Sequence, residues 1–266
     1  VDLREIPMVP EPFGSPEAWH GWFQHQASWT RPTRLWLFRQ ARLGAASKVL
    51  EVGCGTGVVA SEVATVSRAA VIGLDIDAEM LAFARERVPQ VLWVQGDAHA
   101  LPFPDGSFDL VFCHYLLLWV RDPARAVAEM ARVVRSGGSV LACAEPDYAG
   151  RIDYPPELEP LGHLQAEALR AQGACPETGR RLGEWFHAAG LHAMVGVMGG
   201  SWSVPAAPDE GFAAEWGIRR RDLEGLLSQE EQDRLERVDA EALRTGRRVL
   251  FVPTFYALGW KSRRKA

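Results

Sequence analysis

VLEVGCGTG, residues 49–57, sets an apolar run against three glycines at alternate positions, Gly53, Gly55 and Gly57. Glycine loses more backbone freedom on folding than any other residue, so this density implies positive φ angles or a close backbone approach. Val49, Leu50 and Val52 have the apolar character of a short strand buried in a parallel sheet. The following VVASEVATVSRA carries apolar or small residues at helical spacing. Strand, glycine turn and helix form the layout of a nucleotide-type ligand site.

Outward from this unit the pattern repeats. Apolar runs at 48–53, 70–75, 91–95, 109–116 and 139–145 alternate with amphipathic stretches at 57–67, 77–88 and 122–135. Strands alternating with helices imply a parallel, doubly wound sheet. After Asp147 the spacing predicts an extra helix over 156–172, a crossover helix over 177–189 and a strand over 191–204. A charged helical region over 208–245 and a last strand over 249–261 follow. At the other end, Pro7, Pro10, Pro12 and Pro16 predict an extended arm over residues 1–16. Residues 16–44 read as helical and aromatic, with Trp19, Trp22, Phe23, Trp29, Trp36 and Phe38. Pro32 there is expected either in a first turn or at a break between two helices. The expected fold is α/β: a Rossmann-like, doubly wound, mostly parallel seven-stranded sheet. It carries an N-terminal arm and helical lid over 1–44, and the main domain covers 45–266. Helical insertions are expected at about 150–175 and 206–247, the second before the last strand.

With 266 residues, 47% hydrophobic and 24% charged, the chain can bury a sizeable core. Its net charge of −5 gives no basic footprint, which argues against nucleic acid as a partner. Only Lys48, Lys261 and Lys265 represent lysine, an arginine bias that fits genome composition better than function. Cys54, Cys113, Cys143 and Cys175 lie far apart, without the spacing of a zinc site, so no metal is expected and the thiols are expected to be reduced. No apolar stretch approaches the roughly 18 residues needed to span a bilayer, and no charged-then-apolar leader is apparent. A cytoplasmic protein, monomeric or homodimeric, is expected.

Three ligands compete for the glycine turn. A triphosphate loop needs Gly-Lys-Ser/Thr to neutralise charge, whereas Gly57 is followed by Val58 and Val59. A dinucleotide loop wants G-x-G-x-x-G/A, and Val58 at the sixth position puts a branched side chain where close helix–strand packing is required. That reading is weakened and stays open. The third, S-adenosylmethionine, has no phosphate. It calls for flat backbone beside its amino acid and ribose parts, and for carboxylates that accept hydrogen bonds from ammonium and hydroxyls. Glu51 suits it, and would crowd a pyrophosphate with negative charge.

EVGCGTG resembles the first motif of class I S-adenosylmethionine-dependent methyltransferases, in the broad UbiE/COQ5-like group of small-molecule enzymes. VIGLDIDAEML (71–81) resembles the second motif, and VQGDAHALPFPDGSFDLVFCHYLLLWV (94–120) the third and fourth strands. DPARAVAEMARVVRSGGSVLACAEP is similar to the family's next helix and glycine turn, with Ser136 where proline is usual. The likeness covers roughly residues 34–146. It implies that Glu51, Gly53, Cys54, Gly55 and Gly57 lie at the cofactor and that Asp75 accepts both ribose hydroxyls. A carboxylate can accept both hydrogen bonds of a vicinal diol. Asp97 would face the adenine amino group, Ala98 would offer its amide to the ring, and Ile76 and Met80 would pack on the adenine face. In the family an arginine of the pre-strand helix often holds the cofactor carboxylate, a role that falls to Arg34 ahead of Arg31.

Other residues are placed by position. His114 ends an apolar strand, and the carboxyl ends of such strands face the ligand crevice. It is therefore expected near the sulfonium or methionine part, with Tyr115 beside the acceptor. Trp19 and Trp22 suit a lid over an apolar acceptor, part of that aromatic cluster being core. His20 and His25 are weaker candidates for a base, and Asp147 could orient an acceptor at the end of the fifth strand. Asp109 is expected to support the fourth strand. No catalytic residue is assigned, because an activated methyl needs chiefly placement.

Overall fold

The computed structural model describes residues 15–200, 204 and 206–262. The expected arm over residues 1–14 and part of the strand expected over 191–204 lie outside the described residues. Five parallel strands build the first half: β1 (Lys48–Val52), β2 (Ala70–Asp75), β3 (Leu92–Gln95), β4 (Phe108–Cys113) and β5 (Val134–Pro146). They are joined through α2 (Val58–Val66), α3 (Ala78–Arg87) and α4 (Pro123–Val133). After β5 come β6 (Ile152–Tyr154), α5 (Glu159–Ala171), α6 (Thr178–Ala188), β7 (Leu191–Val197), α7 (Glu210–Asp222), α8 (Gln229–Arg244), β8 (Val249–Phe251) and β9 (Thr254–Lys261). The main sheet has seven strands in the order β3-β2-β1-β4-β5-β9-β7, with β9 antiparallel to both neighbours. This is the Rossmann-like, mostly parallel sheet expected.

Alternation along the central strands divides the core into two layers. Leu50, Val52, Val111 and Cys113 pack toward Met130, Trp185 and Phe186 on one face. Val49, Leu110 and Phe112 pack toward Phe38, Val63 and Leu81 on the other. Asp109 holds the entrance to this pair of strands, accepting from the amides of Ser47 and Lys48 at 2.8 and 2.9 Å and from Arg135 Nε at 2.5 Å. Among the described residues no helix is long and apolar enough to cross a membrane.

Two elements differ from expectation, and a third, the charged helical region, divides in two. Residues 16–40 form one helix, α1 (Pro16–Gln40), which Ser15 caps by accepting from the Ala18 amide and which runs through Pro32 unbroken. An interior proline costs about 3 kcal/mol. Here Ala27 and Thr30 before it and Leu37 and Phe38 after it are all buried, which holds both halves to the sheet. The charged region is two helices. Gly225 turns the chain at φ +80°, and Ser228 with Glu231 forms a capping box that starts α8. The terminal run is also two strands: Pro253 has no amide hydrogen to donate, and the chain steps there from β8, paired with β6, into β9 of the main sheet.

Candidate functional site

The connections run one way from β1 through β2 to β3 and the other way from β4 outward, so the sheet order reverses between β1 and β4. Val52 and Cys113 are register partners at the carboxyl ends of these strands. Open α/β sheets bind ligands in the crevice outside such a reversal. The glycine turn folds across it, with the Gly53 and Cys54 amides donating to the Leu74 carbonyl at 2.8 and 3.0 Å. Gly53, Gly55 and Gly57 have φ of +72°, +49° and +80°, a region that side chains strain to adopt. A Cβ on Gly53 would lie 2.5 Å from Leu116 Cδ1, and one on Gly55 3.0 Å from Phe23 Cε2. The first two glycines thus admit a loop and α1 to the crevice. Gly57 does something else. It stands behind the turn, where a Cβ would meet Trp93 at 2.3 Å, and it is not on the cavity wall.

Three carboxylates enter the crevice from successive strands. Asp75 ends β2; its Oδ2 accepts from the Gly55 amide at 2.6 Å and its Oδ1 from the Asp77 amide at 3.0 Å. Each oxygen keeps a lone pair for a ligand. Burial raises its pKa, while the backbone donors of Asp77 and Gly55 work against that rise. Glu51 on β1 is buried, and its Oε2 has no hydrogen-bond partner. Burial drives its pKa well above the ordinary carboxylate range, and Arg34 opposes this only in part. A buried acceptor without a donor is costly, and an ammonium would supply one. Asp97 is gripped by His99, whose amide and Nδ1 donate to Oδ1 at 2.8 and 2.6 Å. His99 Nε2 accepts from the Asp122 amide at 3.1 Å, which fixes the neutral tautomer that donates through Nδ1. Burial opposes ionisation of Asp97, and the His99 hydrogen bonds outweigh it, so the carboxyl sits below its usual pKa. These residues fit the amino, ribose and adenine parts of S-adenosylmethionine.

One cavity of about 890 Å³ takes in Glu51, Gly53, Cys54, Gly55, Asp75, Ile76, Met80, Asp97, Ala98, His114 and Tyr115, together with Trp19 and Trp22 of α1. Arg34 and Asp147 stand elsewhere. The Arg34 guanidinium is buried in α1, donating to Glu62 Oε2 at 2.6 and 2.9 Å, to the Ala27 carbonyl at 2.9 Å and to Thr30 Oγ1 at 2.5 Å. Thr30 Oγ1 in turn lies 2.9 Å from His114 Nε2. Arg34 therefore backs His114 instead of lining the cavity. Burial, aided by the Arg34 charge, lowers the His114 pKa well below the histidine range and keeps the ring neutral. Asp147 closes a turn, accepting from the Gly150 amide and from Arg180, while the next residue, Tyr148, lines the cavity. His20 bonds Thr56 at 2.9 Å and His25 packs edge-on to Trp29; neither lines the cavity.

Sequence reasoning missed part of the wall. Trp119 lines the same cavity, as do Gln165 and Gln172 from α5 and its end and Asp222 from the end of α7. Nothing local marks them: Gln165 and Asp222 are 57 residues apart, and Asp222 ends a run of three arginines that reads as a solvated face.

Residues 50–142 match a family described as a methyltransferase domain. Over 231 residues, 81% of this chain and 88% of the relative, the sequence is 34% identical to a probable S-adenosylmethionine-dependent methyltransferase of Mycolicibacterium smegmatis. It is 30% identical over 171 residues, 59% of this chain, to an uncharacterized methyltransferase of Schizosaccharomyces pombe, of which it spans 61%. Among solved structures, the YcgJ protein of Bacillus subtilis shares the fold, with a TM-score of 0.57 and 21% identity, covering 88% of this chain and 99% of that one. Likeness across nearly the whole of the mycobacterial relative settles the family: the chain belongs to the class I S-adenosylmethionine-dependent methyltransferases, and S-adenosylmethionine is its cofactor.

Proposed function

We propose that the chain transfers a methyl group from S-adenosylmethionine to a small acceptor with an apolar or aromatic body. The observation that carries this reading is that one continuous cavity is lined both by Glu51 and Asp75 and by the aromatic Trp119 and Tyr148. Its volume of about 890 Å³ is near the top of the range for one small ligand, which leaves room for a second. The cofactor supplies a methyl already activated by its sulfonium. The protein's part is then alignment in a dry pocket. Asp75, Asp97 and Glu51 hold the cofactor by its hydrogen-bonding ends. Trp19, Trp22 and Phe23 of α1 roof the site and exclude water. His114, kept neutral by burial, orients groups through its ring and is too weakly basic to serve as the main proton acceptor.

Within the family we place the chain in the UbiE/COQ5-like group, on the order and spacing of EVGCGTG, VIGLDIDAEML and the 94–120 segment. Free thiols at Cys54, Cys113, Cys143 and Cys175 support a reducing, cytoplasmic setting. The test is incubation with methyl-labelled S-adenosylmethionine and panels of phenols, quinones, thiols and amines. Label is expected on a small apolar acceptor; label on protein or nucleic acid instead would contradict the reading.

A further inference from the structure

Building on the reading of this cavity as a joint cofactor and acceptor site, we propose that Asp222 is the group that recognises the acceptor. The acceptor then carries a protonated amine that docks on this carboxylate, apart from the atom that receives the methyl.

Asp222 is held in place by amides. Gln165 Nε2 donates to Oδ2 at 2.9 Å and Gln172 Nε2 to Oδ1 at 3.1 Å. The two glutamines are seven residues apart, about two helical turns, and so share one side of α5. Arg151 Nη1 donates to Gln165 Oε1 at 2.5 Å, which fixes that amide with its nitrogen toward Asp222. Both carboxylate oxygens accept, as an ionised group does, and each retains a lone pair.

No cation of the described chain pairs directly with this carboxylate. Among the described residues no arginine, lysine or histidine hydrogen-bonds Asp222, and Arg219 and Arg221 act on it only through space. Neutral amides do not offset the cost of holding a carboxylate away from water. Burial accordingly raises the Asp222 pKa despite both glutamine donors and the more distant charges of Arg219 and Arg221. An ammonium provides the missing charge and donors for both free lone pairs. Trp119 and Tyr148 on the same wall add aromatic faces, which attract cations. A hydroxyl would supply a donor without the charge, and a carboxylate would be repelled.

The test uses the full chain saturated with S-adenosylhomocysteine. Calorimetry measures binding of phenylalkylamines with one to four methylenes, and of the alcohols of the same lengths. At least one amine is expected to bind about tenfold more tightly than its alcohol, and Asp222→Asn to erase that preference. Gln172→Leu, which keeps the charge and removes one donor, is expected to weaken amine binding about threefold and decides the matter should Asp222→Asn fail to fold. Affinity of Asp222→Asn for S-adenosylhomocysteine alone is expected to stay within about twofold, as for a site remote from the change. The proposal is overturned if no amine outbinds its alcohol, or if the folded variants bind amines as the unaltered chain does. Failure of the unaltered chain to bind S-adenosylhomocysteine would instead overturn the reading of the cavity on which the proposal rests.

Discussion

Asp75 braces the fold and, in the function proposed, also holds the cofactor. One lone pair on each oxygen fixes the backbone of Gly55 and Asp77, so the carboxylate is aimed before any cofactor arrives. The remaining lone pairs match a vicinal diol, and a hydrogen bond to a charged group is worth about 1.5–3 kcal/mol. Asp75→Ala is therefore expected to lower affinity for S-adenosylhomocysteine at least about tenfold while circular dichroism stays native. An unchanged dissociation constant by calorimetry would remove Asp75 from the ribose. Glu51, Asp75 and Asp97 were legible as acids at strand ends, because each sits within two residues of a strand's carboxyl end, and their expected roles came from the motif resemblance. Arg34 was not. Its partners Glu62 and Thr30 lie on α2 and α1, and whether a guanidinium faces a cavity or a neighbouring helix depends on how those helices pack.

At the scale of elements, Glu145 couples the end of β5 to the loop after β4. Its carboxylate accepts from the amides of Leu116 and Leu118 at 3.1 and 3.2 Å and from the Cys113 thiol at 3.6 Å. Burial pushes its pKa up to about 7 from 4.5, and the donors of residues 116–118 and Cys113 fail to offset it. The folded chain thus holds a proton that the unfolded chain has released. The stability this contributes is complete below the unfolded carboxyl pKa and is lost as pH rises through about 7. Denaturant titrations from pH 5 to 8 are expected to show a loss of up to about 3 kcal/mol from this group, and Glu145→Gln, which cannot titrate, to lack it. Other shifted groups, among them Glu51, Asp75, Glu215, Asp222, His20 and His114, are common to both proteins, so the difference between the two curves isolates Glu145. Identical pH slopes would show that the carboxyl is not the group responsible. Strand and helix identities from β1 to β5 were readable because apolar runs and 3.6-residue periodicity agree there. Pro32 and Pro253 show where such reading fails, since a proline marks a lost hydrogen bond but not whether packing tolerates it or the chain changes sheets.

At the scale of the whole molecule, the glycine turn draws three separate segments together. Gly53 admits Leu116 from the loop after β4, Gly55 admits Phe23 from α1, and Gly57 admits Trp93 from β3. The proposed cofactor end of the cavity is lined mainly by motif residues between 51 and 98, which is why the sequence could nominate them. The proposed acceptor end joins α5 to α7 across fifty residues or more, and no window of sequence contains that contact. Hydrogen exchange with and without S-adenosylhomocysteine tests the central arrangement most directly. Exchange is expected to slow at residues 53–57, 76–80 and 97–99 and along α1 from 17 to 30, and to stay unchanged along α8. Protection that leaves the glycine turn untouched, or an α1 equally protected in both states, would contradict a cofactor site at the β1–β4 crevice roofed by α1.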